Sequence, residues 1–318
     1  MTASLLSRLQ GYRVRDLAPI PPVAGKLTRV VGLTLEAIGC RAAIGALCRI
    51  DTQDGMLEAE VVGFSGDRLF LMPSEQLKGV IPGARVVPVT EDHGIPVGMN
   101  LLGRVIDGIG QPLDGLGPII SSQTVQFAQH RINPLARRPI HEPMDVGVRA
   151  INAVLTVGRG QRLGLFAGSG VGKSVLLGMM ARYTQADVIV VGLVGERGRE
   201  LREFMEREIS DEIRAKSFFV CATSDRSPIE RVRAAFTATS IAEYLRDQGR
   251  SVLLVVDSLT RLARAQREVG LMAGEPVTAS GFTPSVYSLL PEVIERAGRT
   301  TKGCITAIYT VLTEKERL

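Results

Sequence analysis

Tryptophan is absent from this 318-residue sequence, and aromatic residues make up only 4% of it. A protein that held single-stranded nucleic acid by stacking its bases would need more aromatic side chains than that. The net charge is +5, but the basic residues are spread along the chain, as solvated surface charge is. The local exception is Arg131, Arg137 and Arg138 in one apparent linker. No nucleic-acid partner is therefore expected. The four cysteines, Cys40, Cys48, Cys221 and Cys304, follow no metal-ligand spacing and read as buried, reduced thiols of a cytosolic protein. Apolar runs such as Val188-Ile189-Val190-Val191 are strand-sized and far short of a membrane span. The first residues lack the long apolar core of a signal peptide, so a cytoplasmic location is expected. What is present is 45% hydrophobic residues in a chain long enough for two domains with a packed core.

Residues 1–18 carry Leu5, Leu6, Leu9 and Tyr12 at helical spacing among Arg8, Arg13 and Arg15, an amphipathic arm too short to be stable alone. A proline cluster at Pro19–Pro22 closes it. Short β-like runs follow at Leu27–Leu35, Ala46–Asp51, Met56–Phe64, Arg68–Met72 and Arg85–Val89, separated by turn signals. Their spacing predicts a small barrel or sandwich over 22–93. A Gly/Pro-rich connector over 94–143 leads into 144–318, where apolar strands alternate with helical segments. Strands are expected at Leu163–Phe166, Asp187–Val194, Phe218–Val220, Ser251–Val256 and Cys304–Leu312. Helices are expected from Lys173, over Glu200–Asp211 and from Pro228 to about Asp247. Ser227-Pro228-Ile229-Glu230 supplies an N-cap, a proline at the first helical position and a capping-box glutamate. Continuous apolar strands between helices imply an α/β fold, a parallel sheet covered on both faces.

Three constellations carry chemistry. Ala167-Gly168-Ser169-Gly170-Val171-Gly172-Lys173-Ser174 follows one expected strand and opens an expected helix. Small residues there let backbone N–H groups wrap phosphate oxygens, and the helix N-terminus adds positive potential. The binding residues are then Gly168, Ser169, Gly170, Val171, Gly172, Lys173, Ser174 and Val175. Lys173 would reach the β- and γ-phosphates and Ser174 would coordinate Mg²⁺. Next, Asp257 ends the strand Val252–Val256, a position beside the phosphate loop from which it can hold a Mg²⁺-bound water. The third is Gly195-Glu196-Arg197 at another strand end. There Glu196 could orient the attacking water and Arg197 could approach the γ-phosphate, or the two could form a surface ion pair with the charged helix that follows. The absence of an Asn-Lys-x-Asp stretch makes ATP the expected nucleotide.

These residues sit within a longer likeness. Leu27-Thr28-Arg29-Val30-Val31-Gly32, Glu60-Val61-Val62-Gly63-Phe64 and Arg68-Leu69-Phe70-Leu71-Met72-Pro73 belong to it. So do Gly147-Val148-Arg149-Ala150-Ile151-Asn152 and Gly195-Glu196-Arg197-Gly198-Arg199-Glu200. Asp257-Ser258-Leu259-Thr260-Arg261 and Gly281-Phe282-Thr283-Pro284-Ser285-Val286 complete it. Over about Pro22 to Leu312 the chain resembles the flagellar protein-export ATPases, which group with virulence-type secretion ATPases and the β subunit of rotary ATP synthases.

The resemblance implies a RecA-like P-loop ATPase core behind a small N-terminal β-barrel, assembled as a homohexamer. It implies that Glu196 is the catalytic glutamate, that Lys173 and Ser174 serve the phosphates and Mg²⁺, and that Asp257 is the magnesium-side aspartate. Residues 1–18 would meet a stator or regulator protein and acidic lipid, placing the enzyme peripherally at the inner face of the cell membrane. The export gate and chaperone–substrate complexes are further implied partners. Family members continue past the strand at Cys304–Leu312, whereas this sequence stops at Leu318. The expectation is thus a chain truncated at the C-terminus, lacking the arginine finger and the adenine-packing aromatic and therefore weakly active. An arginine finger is worth about 10³–10⁵ in rate. Two other readings stay open: a ring RNA translocase, for which the barrel region offers mainly Phe64 and Phe70 as stacking residues, and a ring subunit that binds nucleotide without hydrolysing it.

Overall fold

The computed structural model describes residues 23–89, 94–121, 123–126, 132–168 and 170–313. The arm expected at 1–18 lies outside the described residues, as do Arg131 and Ser169.

Alternation of apolar and polar residues builds the first unit. In Gly55–Ser65 (β4), Leu57, Ala59 and Val61 point inward, and in Arg68–Pro73 (β5), Leu69 and Leu71 do. Together with Gly25–Val31 (β1), Thr34–Ile38 (β2), Leu47–Thr52 (β3) and Arg85–Pro88 (β6) they close an antiparallel barrel in the order β1-β2-β5-β4-β3-β6. Leu35, Ile50, Leu71 and Val86 fill its interior. The run Leu27–Leu35, read as one strand, is instead a hairpin. Gly32, at φ +58°, turns the chain and pairs Val31 with Thr34; glycine reaches that left-handed backbone without the cost a side chain adds.

Three short strands follow, Ile95–Val97 (β7), Val105–Ile106 (β8) and Gln123–Val125 (β9). β7 pairs with β9, while β8 joins the edge of the large sheet through Val105–Phe219 and Ile106–Val220 pairing.

That sheet is made of Arg162–Ala167 (β10), Val188–Glu196 (β11), Ser217–Thr223 (β12), Ser251–Asp257 (β13) and Cys304–Leu312 (β15), in the order β10-β15-β13-β11-β12-β8 and parallel throughout; Gly298–Arg299 (β14) adds antiparallel to β15. Its central strand β11 is apolar or glycine from Val188 to Gly195 because both faces are covered. Successive residues of β11 serve opposite cores. Val188, Val190 and Val194 pack on one side with helices Pro228–Asp247 (α5), Leu259–Met272 (α6) and Pro284–Glu295 (α7). Ile189, Val191 and Leu193 pack on the other with Lys173–Tyr183 (α2), Gly198–Arg207 (α3) and Asp211–Ala215 (α4), beside Arg149–Val154 (α1). A barrel followed by a RecA-like α/β core is therefore what the chain folds into.

Helix α5 begins as its sequence dictates, with Ser227 Oγ accepting from Glu230 N at 3.3 Å and Pro228 at the first helical position. The helix expected over Glu200–Asp211 is two. It stops at Arg207, and Ser210 caps a second short one by accepting from Ile213 N. All four cysteines are buried and unpaired; burial pushes the Cys48 and Cys221 thiols up to about 12, which keeps them protonated and unreactive.

Candidate functional site

Strand β10 runs straight into the phosphate loop, and α2 starts at Lys173. Gly170 and Gly172 have φ of +76° and +89°, and a Cβ at either would meet nothing within 4 Å. These glycines are needed for their backbone conformation, which folds the loop over the helix end. Gly172 is the N-cap of α2 and brings no side-chain acceptor. The N–H groups of the first turn are left for an external anion, where the helix dipole also favours negative charge.

Three elements carry side chains to this point. α2 presents Lys173, β13 ends in Asp257 and β11 ends in Glu196, because parallel strands and the helices after them share one edge of the sheet. Lys173 Nζ donates to Asp257 Oδ1 at 2.5 Å and lies 3.9 Å from Glu196 Oε1. Asp257 is buried, and the Thr310 hydroxyl of β15 donates to the same oxygen at 2.7 Å. A cleft of about 390 Å³ opens here, lined by Gly168, Gly170, Gly172, Lys173, Ser174 and Val175 on one wall. Glu196, Asp257, Arg261 and the α3 residues Glu200, Phe204 and Arg207 are on the others.

The Val171 side chain is 64% exposed, while its backbone lies in the loop between Gly170 and Gly172, which line the cleft; Arg197 is outside the lining, and its guanidinium pairs with Glu200 at 3.3 Å on the surface. Arg261, to which the sequence reading gave no role, stands inside. Its Nη1 forms an ion pair with Glu196 Oε1, and its Nη2 lies 3.7 Å from Glu200 Oε2. Desolvation, and then Arg264 nearby, lowers the Arg261 pKa, so the site holds a partly desolvated cation against its carboxylates. The signal for it was positional: Arg261 sits in the first turn of the helix that follows Asp257.

The donor set suits a hard cation. Among the described residues no group of three or more His, Cys, Asp or Glu is arranged to hold a metal. Asp257 and the exposed Ser174 hydroxyl would supply only part of an oxygen shell, the rest coming from phosphate and water. That division is the one Mg²⁺ adopts in nucleotide sites.

A family model described as ATP synthase alpha/beta family, nucleotide-binding domain, matches residues 147–318. A flagellum-specific ATP synthase of Pseudomonas aeruginosa is 53% identical over 318 residues, an overlap of 98% of this chain and 70% of that protein. The chain belongs to the flagellar and type III secretion branch of the ATP synthase alpha/beta family. The flagellum-specific ATP synthase of Salmonella typhimurium is likewise 53% identical, over 97% of this chain and 71% of that one. Among solved structures, the assembled ATPase EscN of the enteropathogenic Escherichia coli type III secretion system superposes with a TM-score of 0.85 at 47% identity. That superposition covers 91% of this chain and 70% of EscN. A barrel thus precedes the nucleotide-binding core in this chain, and the cleft described above lies within the part the family model matches.

Proposed function

We propose that this chain is a Mg²⁺-dependent ATPase that energises export of flagellar proteins through a type III secretion apparatus. The observation that carries the reading is the convergence of Lys173, Glu196, Asp257 and Arg261 on one cleft beneath a glycine loop with free helix N–H groups. The loop amides and Lys173 bind the β- and γ-phosphates. Ser174 and Asp257 would hold Mg²⁺, which would supply charge neutralisation at the phosphate oxygens. Glu196 orients a water for in-line attack on the γ-phosphorus; the new P–O bond forms as the β–γ bridge breaks, and the water's proton passes to the carboxylate or bulk solvent. Arg261 holds Glu196 in place and adds positive charge beside the transferring group.

The flagellar assignment rests on two flagellum-specific relatives at 53% identity over 97–98% of this chain, narrowly ahead of the type 3 secretion system ATPase of Xanthomonas euvesicatoria at 51% over 92%. EscN has been solved both assembled and with its central stalk EscO, which supports a homohexameric ring for this chain too. Such a ring would work in the cytoplasm, against the inner face of the membrane. Residues 1–18 would engage a stator protein and acidic lipid, and the ring would face the export gate and chaperone–substrate complexes.

Phosphate release from Mg-ATP, measured over a range of protein concentrations, tests the reading. Turnover that rises cooperatively with concentration and vanishes in Lys173→Ala and Glu196→Gln is the expected result. Nucleotide binding without release in the wild type would overturn it in favour of a non-hydrolysing ring subunit.

A further inference from the structure

Arg137 and Arg138, the local excess of arginine in the sequence, take no part in the nucleotide cleft. They cross the opposite end of the sheet, where β10 and β15 begin, and the Arg138 N–H donates to Arg299 O at 3.1 Å. Two hollows of about 320 Å³ each meet there and share Arg138 and Arg299 as lining. Arg162 and Ile140 extend the first, and His141 and Thr301 extend the second.

The charges do not balance. Glu295 is shared by Arg162, at 2.5 Å, and Arg137, at 3.2 Å. Glu142 is shared by Arg299, at 2.7 Å, and Arg159, at 4.0 Å. Two carboxylates thus serve four arginines. The exposed Arg138 side chain, a fifth, has no hydrogen bond or ion pair among the described residues. One donor of the cluster, Arg299 Nη1, is buried with no hydrogen-bond partner, a desolvation penalty that an acceptor on a ligand would relieve. Backbone economy keeps the arginines close. A Cβ at Gly298 would stand 2.6 Å from Arg137 Nη1, and one at Gly160 would stand 2.9 Å from Arg299 Cβ.

We propose that this groove is a docking site for an acidic peptide segment of a partner protein. Both native anions here are carboxylates, and guanidinium forks bind carboxylates in two-pronged fashion. Apolar surface flanks the charge: Ile140 is 47% exposed, and Leu135, two residues before Arg137, is 94% exposed. That mixture fits side chains of a peptide better than a bare phosphate. Two contiguous hollows sharing two arginines suit an extended ligand that spans both. No tryptophan, tyrosine or phenylalanine lines either hollow, so a nucleic acid would find no large base-stacking platform.

The test is fluorescence anisotropy of a labelled peptide alternating Glu-Glu with Leu, titrated with the 318-residue chain. Binding should weaken as salt rises and fall roughly tenfold or more in Arg138→Glu, where like charges face each other. Arg138→Gln should lie between. Phosphate release from Mg-ATP should be unchanged in both variants, because Arg138 is at the far end of the sheet from the cleft. Equal peptide binding by wild type and Arg138→Glu would overturn the proposal. So would displacement of the peptide by oligouridylate, phosphatidylglycerol vesicles or inorganic phosphate at lower concentration than unlabelled peptide requires. Loss of phosphate release in Arg138→Glu would show that the variant disturbs the fold; binding would then be read from Arg138→Gln, whose wild-type affinity would likewise refute the site.

Discussion

Substituting Glu230 by glutamine should stabilise the protein at alkaline pH and leave it unchanged at acid pH. Glu230 is in the first turn of α5, where the helix meets the loop after β12. It is 2% exposed, and its Oε1 has no hydrogen-bond partner. The nearest cation, Arg226, keeps its Nε 3.8 Å away. Burial raises the carboxyl pKa from 4.5 to about 7; Arg226 opposes this, while Asp107, Glu75 and Asp225 reinforce it. Each pKa unit is about 1.36 kcal/mol, so the full effect is about 3 kcal/mol. The adjoining hollow of about 450 Å³, lined in part by Glu75, Asp225 and Arg226, admits screening water, and about half of that figure is a fair allowance. The folded protein holds this proton more tightly than the unfolded chain does. The contribution is therefore complete below pH 4.5 and is lost as pH rises through about 7. Glu230→Gln keeps the shape and cannot ionise, and the backbone cap from Ser227 to Glu230 N survives. Urea unfolding, followed by circular dichroism because the chain has no tryptophan, should find the variant equal to wild type at pH 4 and about 1.5 kcal/mol more stable at pH 8. A variant that is less stable at both pH values would show that Glu230 is ionised and well partnered, and would refute the reasoning.

Two further substitutions address the cleft. Asp257→Ala removes the partner of both Lys173 Nζ and the Thr310 hydroxyl in a buried setting. It should cost about 3 kcal/mol, seen as a thermal midpoint several degrees lower, and should abolish Mg²⁺-dependent phosphate release; an unchanged midpoint would mean that the pair is not coupled to stability. Gly195→Ala places a side chain at φ +70°, with its Cβ 3.2 Å from Arg261 Cβ and Cδ. The backbone cost is about 1–2 kcal/mol, and the displaced Arg261 should release Glu196. Phosphate release should therefore drop while binding of a fluorescent ATP analogue persists, and full turnover would contradict a positioning role for Arg261.

Much of this was legible in one dimension because the physics is local. The unbroken apolar run of β11 announces a strand buried on both faces, and Ser227-Pro228 with Glu230 announces the start of α5. The glycine loop between β10 and α2 announces an anion site, since its conformation and helix dipole are properties of a few consecutive residues. Helix α7 escaped notice because Pro291 reads as a breaker yet is carried inside a helix whose Val286, Leu289 and Val293 are buried. The break at Ser210 depends on a cap that competes with continuation of a helix, and residues on either side favour both outcomes. Pairing of β8 with β12 joins residues more than a hundred positions apart, which no local pattern encodes. The exchange of Arg197 for Arg261 has the same cause. Arg197 neighbours Glu196 in sequence, but as N-cap of α3 it is carried outward to Glu200, whereas Arg261 arrives from the turn after a different strand. Sequence alone thus determined the buried strands of the large sheet, the start of α5 and the residue types the loop presents. Only packing of the parallel strands decided which charged side chains share the cleft, and which arginines were left together at the other end of the sheet.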